Sequence, residues 1–158
     1  HQVLTTLHTN SAIGTFPRLL DIGVLPDIMT GNIIGVISQR LVRLLCPHCK
    51  VPHKPDDVEL RLLEMDTSPS DITIYEPGGC SHCANTGYKG RVAIIEALRI
   101  NNELDELIAK RATLGELKAM AKQTGYMTLA DDAVRCVLEG RTSLTEITRV
   151  IDLTQRLK

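Results

Sequence analysis

The chain has 158 residues, with 18 Lys and Arg against 19 Asp and Glu, and 43% of its residues are hydrophobic. This length and balance suit one globular domain, or one domain with a satellite, and exclude a disordered or collagen-like chain. A net charge of −1, one Phe, three Tyr and no Trp argue against nucleic acid as a partner, because nucleic-acid binders need a basic face or stacking aromatics. The longest apolar stretch, residues 28–38, is too short to span a bilayer, so no transmembrane segment is expected.

The first 45 residues predict two strands and two helices. A β-rich run at residues 3–7 predicts a buried strand, and Asn10 or Ser11 can cap the helix that follows it. Gly23 suits the end of that helix, and Pro26 suits the start of the next one. The predicted order is therefore strand 3–7, a helix that ends at Gly23, helix 26–38 and strand 39–45.

The rest of the chain predicts a short insertion and then a helical region. The insertion has a helix at residues 57–65, a loop at 67–70 and a strand at 72–75, and a β run follows at 91–98. Residues 102–153 predict about four short helices. Their start signals are two capping boxes, Thr113 with Glu116 and Ser143 with Glu146, and Thr128 as a third cap.

Four of the five cysteines form two Cys-x-x-Cys pairs, Cys46 with Cys49 and Cys80 with Cys83. Each such turn places two thiolates at adjacent corners of a tetrahedron, so two turns predict a closed four-sulfur site that suits structural Zn²⁺. An iron–sulfur cluster on the same four sulfurs is the main alternative, and redox pairs or unliganded thiols are a weaker one. The fifth cysteine, Cys136, is expected to be a small core residue, and the nearby histidines 48, 53 and 82 are expected to be exposed rather than ligands.

His8 follows the first predicted strand, a place where open α/β sheets bind ligands at free helix amides. This signal is weak by itself, since polar residues at strand ends are usually caps or surface groups. The chain contains no G-x-x-x-x-G-K-[ST] and no G-x-G-x-x-G that opens a helix, so the segment has no phosphate cradle of its own.

Three separated motifs resemble the C-terminal ATPase region of the secretion ATPase superfamily, the hexameric motors of type II secretion and type IV pilus assembly. They are residues 1–11 (HQVLTTLHTNS), residues 39–49 (QRLVRLLCPHC) and residues 79–91 (GCSHCANTGYKGR), with Glu96 after the last of them. The resemblance covers nearly the whole chain, and the three motifs stand in the family's order.

The resemblance implies an α/β fold, with a partial RecA-like P-loop NTPase core, a four-cysteine zinc subdomain and an all-α C-terminal subdomain. The implied boundaries are core 1–45, zinc-binding insertion 46–90, core strand or linker 91–101 and helical subdomain 102–158. The parent protein would be a cytoplasmic homo-hexamer, peripheral at the bacterial inner membrane. It would bind ATP and Mg²⁺ and act on an inner-membrane platform protein.

The resemblance also implies the site residues. His8 and His1 match the family's two box histidines, with His8 at the terminal phosphate and His1 supporting the same nucleotide face. Thr9, Gln39 and Arg40 are the further nucleotide-contact candidates.

The family's phosphate loop and Walker B carboxylate precede this region, so the chain alone is expected to hydrolyse ATP negligibly, because phosphoryl transfer needs both. The alternative hypothesis is a free-standing, zinc-stabilised adaptor that binds a protein partner.

Overall fold

The computed structural model describes residues 1–66, 68 and 71–157, and within this part the chain forms seven α-helices and four β-strands. The strands are β1 (Gly35–Leu45), β2 (Val51–His53), β3 (Ile74–Glu76) and β4 (Tyr88–Arg99). The helices are α1 (Thr15–Asp21), α2 (Pro26–Met29), α3 (Asp57–Leu62), α4 (Asn102–Ala109), α5 (Leu114–Gln123), α6 (Leu129–Leu138) and α7 (Leu144–Thr148). Short 3-10 turns lie at Ser81–Cys83 and Thr154–Leu157.

The strands form two separate two-stranded sheets. In one, β1 pairs with β4, and the backbone bonds from Ile100 N to Ile34 O and from Cys46 N to Gly87 O show that the two run antiparallel. In the other, β2 pairs antiparallel with β3, with Pro52 opposite Tyr75. Both strands of this second sheet come from the stretch of sequence between the two cysteine pairs.

The chain divides into two units, and both β1 and β4 pass from one to the other. The first unit contains residues 1–38 and 95–128, and its core joins the turn before α1 to helices α4 and α5 through Ile13, Phe16 and Leu104. The second unit contains residues 39–94 and 129–158, and its core packs α6 and α7 against the strands through Val42, Ile94 and Ile147. The four C-terminal helices are thus divided between the units, with α4 and α5 in the first and α6 and α7 in the second.

The predicted opening strand is wrong. Residues 1–9 lie in no helix or strand, and the side chains of Val3 and Leu4 are 80% and 96% exposed. A strand needs a hydrogen-bonded neighbour, and none pairs with this run among the residues that the structure describes. The chain becomes buried only at Ala12 and Ile13, just before α1.

The predicted helix over residues 26–38 is also too long. Helix α2 ends at Met29, because Thr30 takes an extended conformation (ψ 134°), and Gly31 follows it in a left-handed one (φ +70°). The branched residues after it belong to the lead-in and start of β1, where β-branched side chains pack well.

The predicted cap of the first helix is wrong, because α1 begins at Thr15 after Gly14, which makes no side-chain cap bond; the Ser11 hydroxyl accepts the amide of Gly14 instead. The remaining elements are confirmed. Strands β1 and β4 and helix α3 lie where the sequence predicts them, with Asp56 and Glu59 forming a complete capping box at α3. The strand predicted at 72–75 appears as β3. Of the loop predicted at 67–70, only Ser68 is among the described residues. In the last third, α4 to α7 are the four predicted helices, and Gly125 and Gly140, which follow α5 and α6, have a left-handed conformation that suits a helix end.

Candidate functional site

The four clustered cysteines lie on two tight turns of the second unit. The first turn follows β1, where the amides of Cys49 and Lys50 donate to the carbonyl of Cys46 at 3.3 and 3.0 Å. The second surrounds the Ser81–Cys83 turn, where Cys83 N donates to Cys80 O at 3.2 Å. These backbone hydrogen bonds hold the two cysteines of each pair on the same side of their turn.

The two turns bring the four sulfurs together. The Sγ atoms are 3.9 Å apart for Cys46 and Cys80, 3.7 Å for Cys49 and Cys83, and 3.7 Å for Cys80 and Cys83. A tetrahedral metal with sulfur ligands at about 2.3 Å requires sulfur–sulfur edges of about 3.8 Å. All four sulfurs lie within 4.8 Å of one another, and none is in a disulfide. The donor set therefore fits a four-coordinate soft metal ion.

Gly78 allows the two turns to approach this closely, and Gly87 contributes an amide to the cluster. A Cβ atom on Gly78 would overlap the carbonyl oxygen of Cys49, so no larger residue fits there. Gly87 has a left-handed conformation (φ +75°), and its amide donates to the sulfur of Cys83 at 3.2 Å. This amide bond is the kind that stabilises a thiolate.

The environment divides the thiols by acidity. Burial raises the pKa of Cys83, but backbone hydrogen bonds at Cys80 and Gly87 and side-chain bonds to Cys49 and Cys80 outweigh it and lower that pKa to about 6. For Cys49, burial and then hydrogen bonds with the other three thiols raise the pKa to about 12. The Gly87 amide thus favours the thiolate form of Cys83, and a bound cation would favour the thiolate form of every sulfur that it coordinates.

The nearby histidines lie outside this cluster. His48 and His82 are exposed and stack on each other with ring centroids 4.2 Å apart. His53 was expected to be exposed but is half-buried on β2, because its Nε2 lies 2.7 Å from an oxygen of Glu59, and this hydrogen bond raises the pKa of His53. Glu76 lies close to this pair, but the same Glu59 oxygen also accepts the amide of Asp56. We interpret this group as an ion pair joined to the helix cap.

The residues expected to contact nucleotide lie on two separate stretches of the chain. His1 and His8 are exposed in the first unit, and Thr9 is half-buried, its hydroxyl donating to Ser11 O at 3.1 Å. Gln39 and Arg40 are the first two residues of the second unit, on β1, and the guanidinium of Arg40 donates to the carbonyl of Gln39 at 3.0 Å. Among the predicted site residues, the four cysteines form one cluster.

A buried carboxylate in the second unit has a role that the sequence did not indicate. Glu146 was expected to complete a capping box with Ser143, whose hydroxyl does accept the amide of Glu146. Its carboxylate instead takes two guanidinium bonds from Arg43, at 2.9 and 2.5 Å, and the backbone amide of Arg43 at 3.1 Å. The Arg43 guanidinium also lies 4.1 Å from the centre of the Tyr88 ring. Arg43 on β1 therefore contacts both Tyr88 on β4 and Glu146 on α7.

A second buried carboxylate lies in the first unit. Glu96 on β4 is 2% exposed and accepts the backbone amide of Ala12 at 2.7 Å and the hydroxyl of Tyr126. The sequence pattern could have indicated this buried acid, because Glu96 alternates with the apolar residues Ile94 and Leu98 on the buried face of the strand. This acid therefore anchors the chain just after His8.

Among the helices of the described part, none has the length and apolar character needed to cross a membrane.

Comparison with known proteins agrees with the motifs. The sequence pattern of the family described as Type II/IV secretion system protein matches residues 1–149. The Acinetobacter baylyi type IV pilus assembly ATPase TfpB is 45% identical over 157 residues, which cover 98% of this chain and 26% of that protein. The Pseudomonas aeruginosa type II secretion system protein E is 41% identical over 150 residues, or 95% of this chain and 30% of that protein. The Thermus thermophilus type IV pilus assembly ATPase PilB is 41% identical over 148 residues, or 93% and 17%. The chain thus spans less than a third of each of these relatives, and it belongs to the Type II/IV secretion system protein family.

Proposed function

We propose that this chain is the C-terminal portion of a hexameric, ATP-hydrolysing motor that powers type II protein secretion or type IV pilus assembly. The observation that carries the proposal is the 45% identity with the ATPase TfpB along 98% of the chain. The motor would work in the cytoplasm against the inner membrane, acting on an inner-membrane platform protein.

Within that motor, His8 contacts the terminal phosphate of ATP and His1 supports the same face. An imidazole N–H that donates to the terminal phosphate distinguishes ATP from ADP, which suits a residue that reports the nucleotide state. Thr9, Gln39 and Arg40 are the further proposed contacts. The exposure of His1 and His8 supports this assignment, because a nucleotide can reach both.

In this proposal, residues 1–45 belong to a RecA-like core, residues 91–101 are a core strand or linker, and residues 102–158 form a helical subdomain. The P-loop, the Walker B carboxylate and the Mg²⁺ that they hold come from another part of the motor. Since phosphoryl transfer requires these groups, the chain by itself has negligible hydrolysis.

Residues 46–90 form the proposed zinc-binding insertion, in which Cys46, Cys49, Cys80 and Cys83 hold one Zn²⁺. The sulfur geometry supports this assignment, and four protein ligands leave no open position, so the ion would cross-link the two turns rather than act on substrate. Within the insertion, Leu63 and Ile74 belong to the shared core of the second unit, and the cross-link would add to this packing by joining the two turns at the ends of the insertion.

The test is a graft of this chain into TfpB in place of the matched 157 residues. The graft should release phosphate from Mg-ATP, whereas the chain alone should give no more phosphate than its own His8→Ala variant. A matched graft in which the sequence of residues 1–11 is scrambled shows whether phosphate release requires this segment. A well-folded graft without turnover would refute the motor assignment and leave the zinc-stabilised adaptor as the better account.

A further inference from the structure

Glu96 is a buried acid that no part of the proposed zinc or nucleotide chemistry uses. It lies on β4 in the register of Ile94 and Leu98, and only 2% of the residue is exposed. A carboxyl group at such a position is costly to bury unless hydrogen bonds replace those it makes to water. The bonds that Glu96 makes therefore identify what this acid is for.

Those bonds join parts of the first unit that are distant in sequence. The Oε1 atom accepts the backbone amide of Ala12 at 2.7 Å, across 84 residues, and the hydroxyl of Tyr126, across 30. Glu96 thus fixes the turn before α1 to the segment that follows α5.

The anchored amide is four residues after His8. Ala12 and Ile13 are fully buried, whereas His8 is exposed, so the chain leaves the core at the point that Glu96 holds. Between them, the Thr9 hydroxyl donates to Ser11 O at 3.1 Å and lies 3.4 Å from the hydroxyl of Thr15. A short bonded path therefore connects the carboxylate to the residue next to His8.

We propose that Glu96, supported by Tyr126, is a positioning residue that holds residues 8–12 so that His8 meets the terminal phosphate. This inference rests on the proposed function. Glu96 does not touch the nucleotide in this proposal. It acts through the amide of Ala12, and its removal lets His8 sample arrangements in which the imidazole misses its target.

The first experiment measures the segment in the complete 158-residue chain. Amide exchange of Ala12 and the imidazole NMR signals of His8 are recorded for the wild type, Glu96→Ala and Glu96→Gln. Glu116→Ala is the matched control, because Glu116 also accepts a backbone amide at 2.7 Å and a hydroxyl, but within its own helix cap. Tyr126→Phe removes only the hydroxyl, and it remains informative if Glu96→Ala does not fold.

Glu96→Ala should raise the exchange rate of the Ala12 amide by at least about tenfold and shift the His8 signals. Glu96→Gln keeps an acceptor oxygen and should restore most of both readouts, and Tyr126→Phe should give an intermediate change. Unchanged Ala12 exchange and His8 signals in both Glu96→Ala and Tyr126→Phe would overturn the proposal, as would an equal change in Glu116→Ala.

The second experiment places the same substitutions in the TfpB graft. Glu96→Ala should lower kcat by about tenfold with KM for ATP within about twofold, since the loss concerns alignment rather than binding. Equal kcat in the wild-type and Glu96→Ala grafts would overturn the positioning role. If the wild-type graft itself is inactive while Ala12 exchange responds to Glu96→Ala, the anchor stands and the motor assignment fails.

Discussion

Replacement of Glu146 by Ala should destabilise the second unit far more than an ordinary surface change. The carboxylate is 5% exposed and accepts three bonds from Arg43, two from the guanidinium and one from the backbone amide. Hydrogen bonds to charged groups contribute about 1.5–3 kcal/mol each, but the Arg43 side chain is 39% exposed and water can replace part of the loss. We expect a loss of about 3 kcal/mol in the free energy of unfolding, or roughly 6–12 °C in Tm.

Hydrogen-exchange mass spectrometry in increasing urea is the suitable assay, because peptides from the two units report separately. Glu139→Ala is the control in the same unit, since Glu139 forms an exposed ion pair with Arg135 at 2.8 Å and should cost about 0.5 kcal/mol. If Glu146→Ala costs no more than Glu139→Ala, the three bonds do not hold α7 to β1 as inferred.

The same carboxylate predicts a pH dependence. The Arg43 hydrogen bond, opposed by burial, lowers the pKa of Glu146 from its usual 4.5. The pair therefore contributes its full stability above pH 4.5, and this contribution is lost as the pH falls through the lowered pKa. The difference in unfolding free energy between wild type and Glu146→Ala should shrink in that acid range.

Three further outcomes test other parts of the structure. Purified, reduced protein should contain one zinc per chain by elemental analysis, and iron with visible absorbance would favour a cluster instead. Gly78→Ala should cost at least about 2 kcal/mol and weaken metal retention, because its Cβ would overlap the Cys49 carbonyl; unchanged stability would contradict the close packing. The hydrogen bond to Glu59 raises the pKa of His53 above its usual 6.5, so this bond adds its full stability below pH 6.5 and loses it as the pH rises through the raised pKa. Glu59→Gln keeps the helix cap and should move the His53 midpoint down, and an unmoved midpoint would contradict the ion pair.

Local signals in the sequence predicted much of the fold. The helix caps of α3 and α5 lie within four residues of the groups they bond, so the sequence contains the whole interaction. The same is true of each cysteine pair, whose turn geometry follows from a spacing of three. What the sequence does not state is that the two turns, 34 residues apart, bring their sulfurs to 3.7–3.9 Å.

The sequence did not predict interactions between residues that are far apart along the chain. The opening run has the composition of a strand but pairs with none of the described strands, and β structure depends on such pairing. Glu146 satisfies the local pattern of a capping box, yet a guanidinium 103 residues away is a stronger partner than a backbone amide. Glu96 was noted in a motif, but its bond to Ala12 spans 84 residues and could not be foreseen.

The most direct test of the central claim is phosphate release by the TfpB graft with and without His8→Ala, at saturating Mg-ATP. The account predicts turnover in the graft and a loss of at least about a hundredfold in kcat in the variant, with nucleotide still bound, because His8 acts at the terminal phosphate. Equal turnover in the two grafts would contradict it.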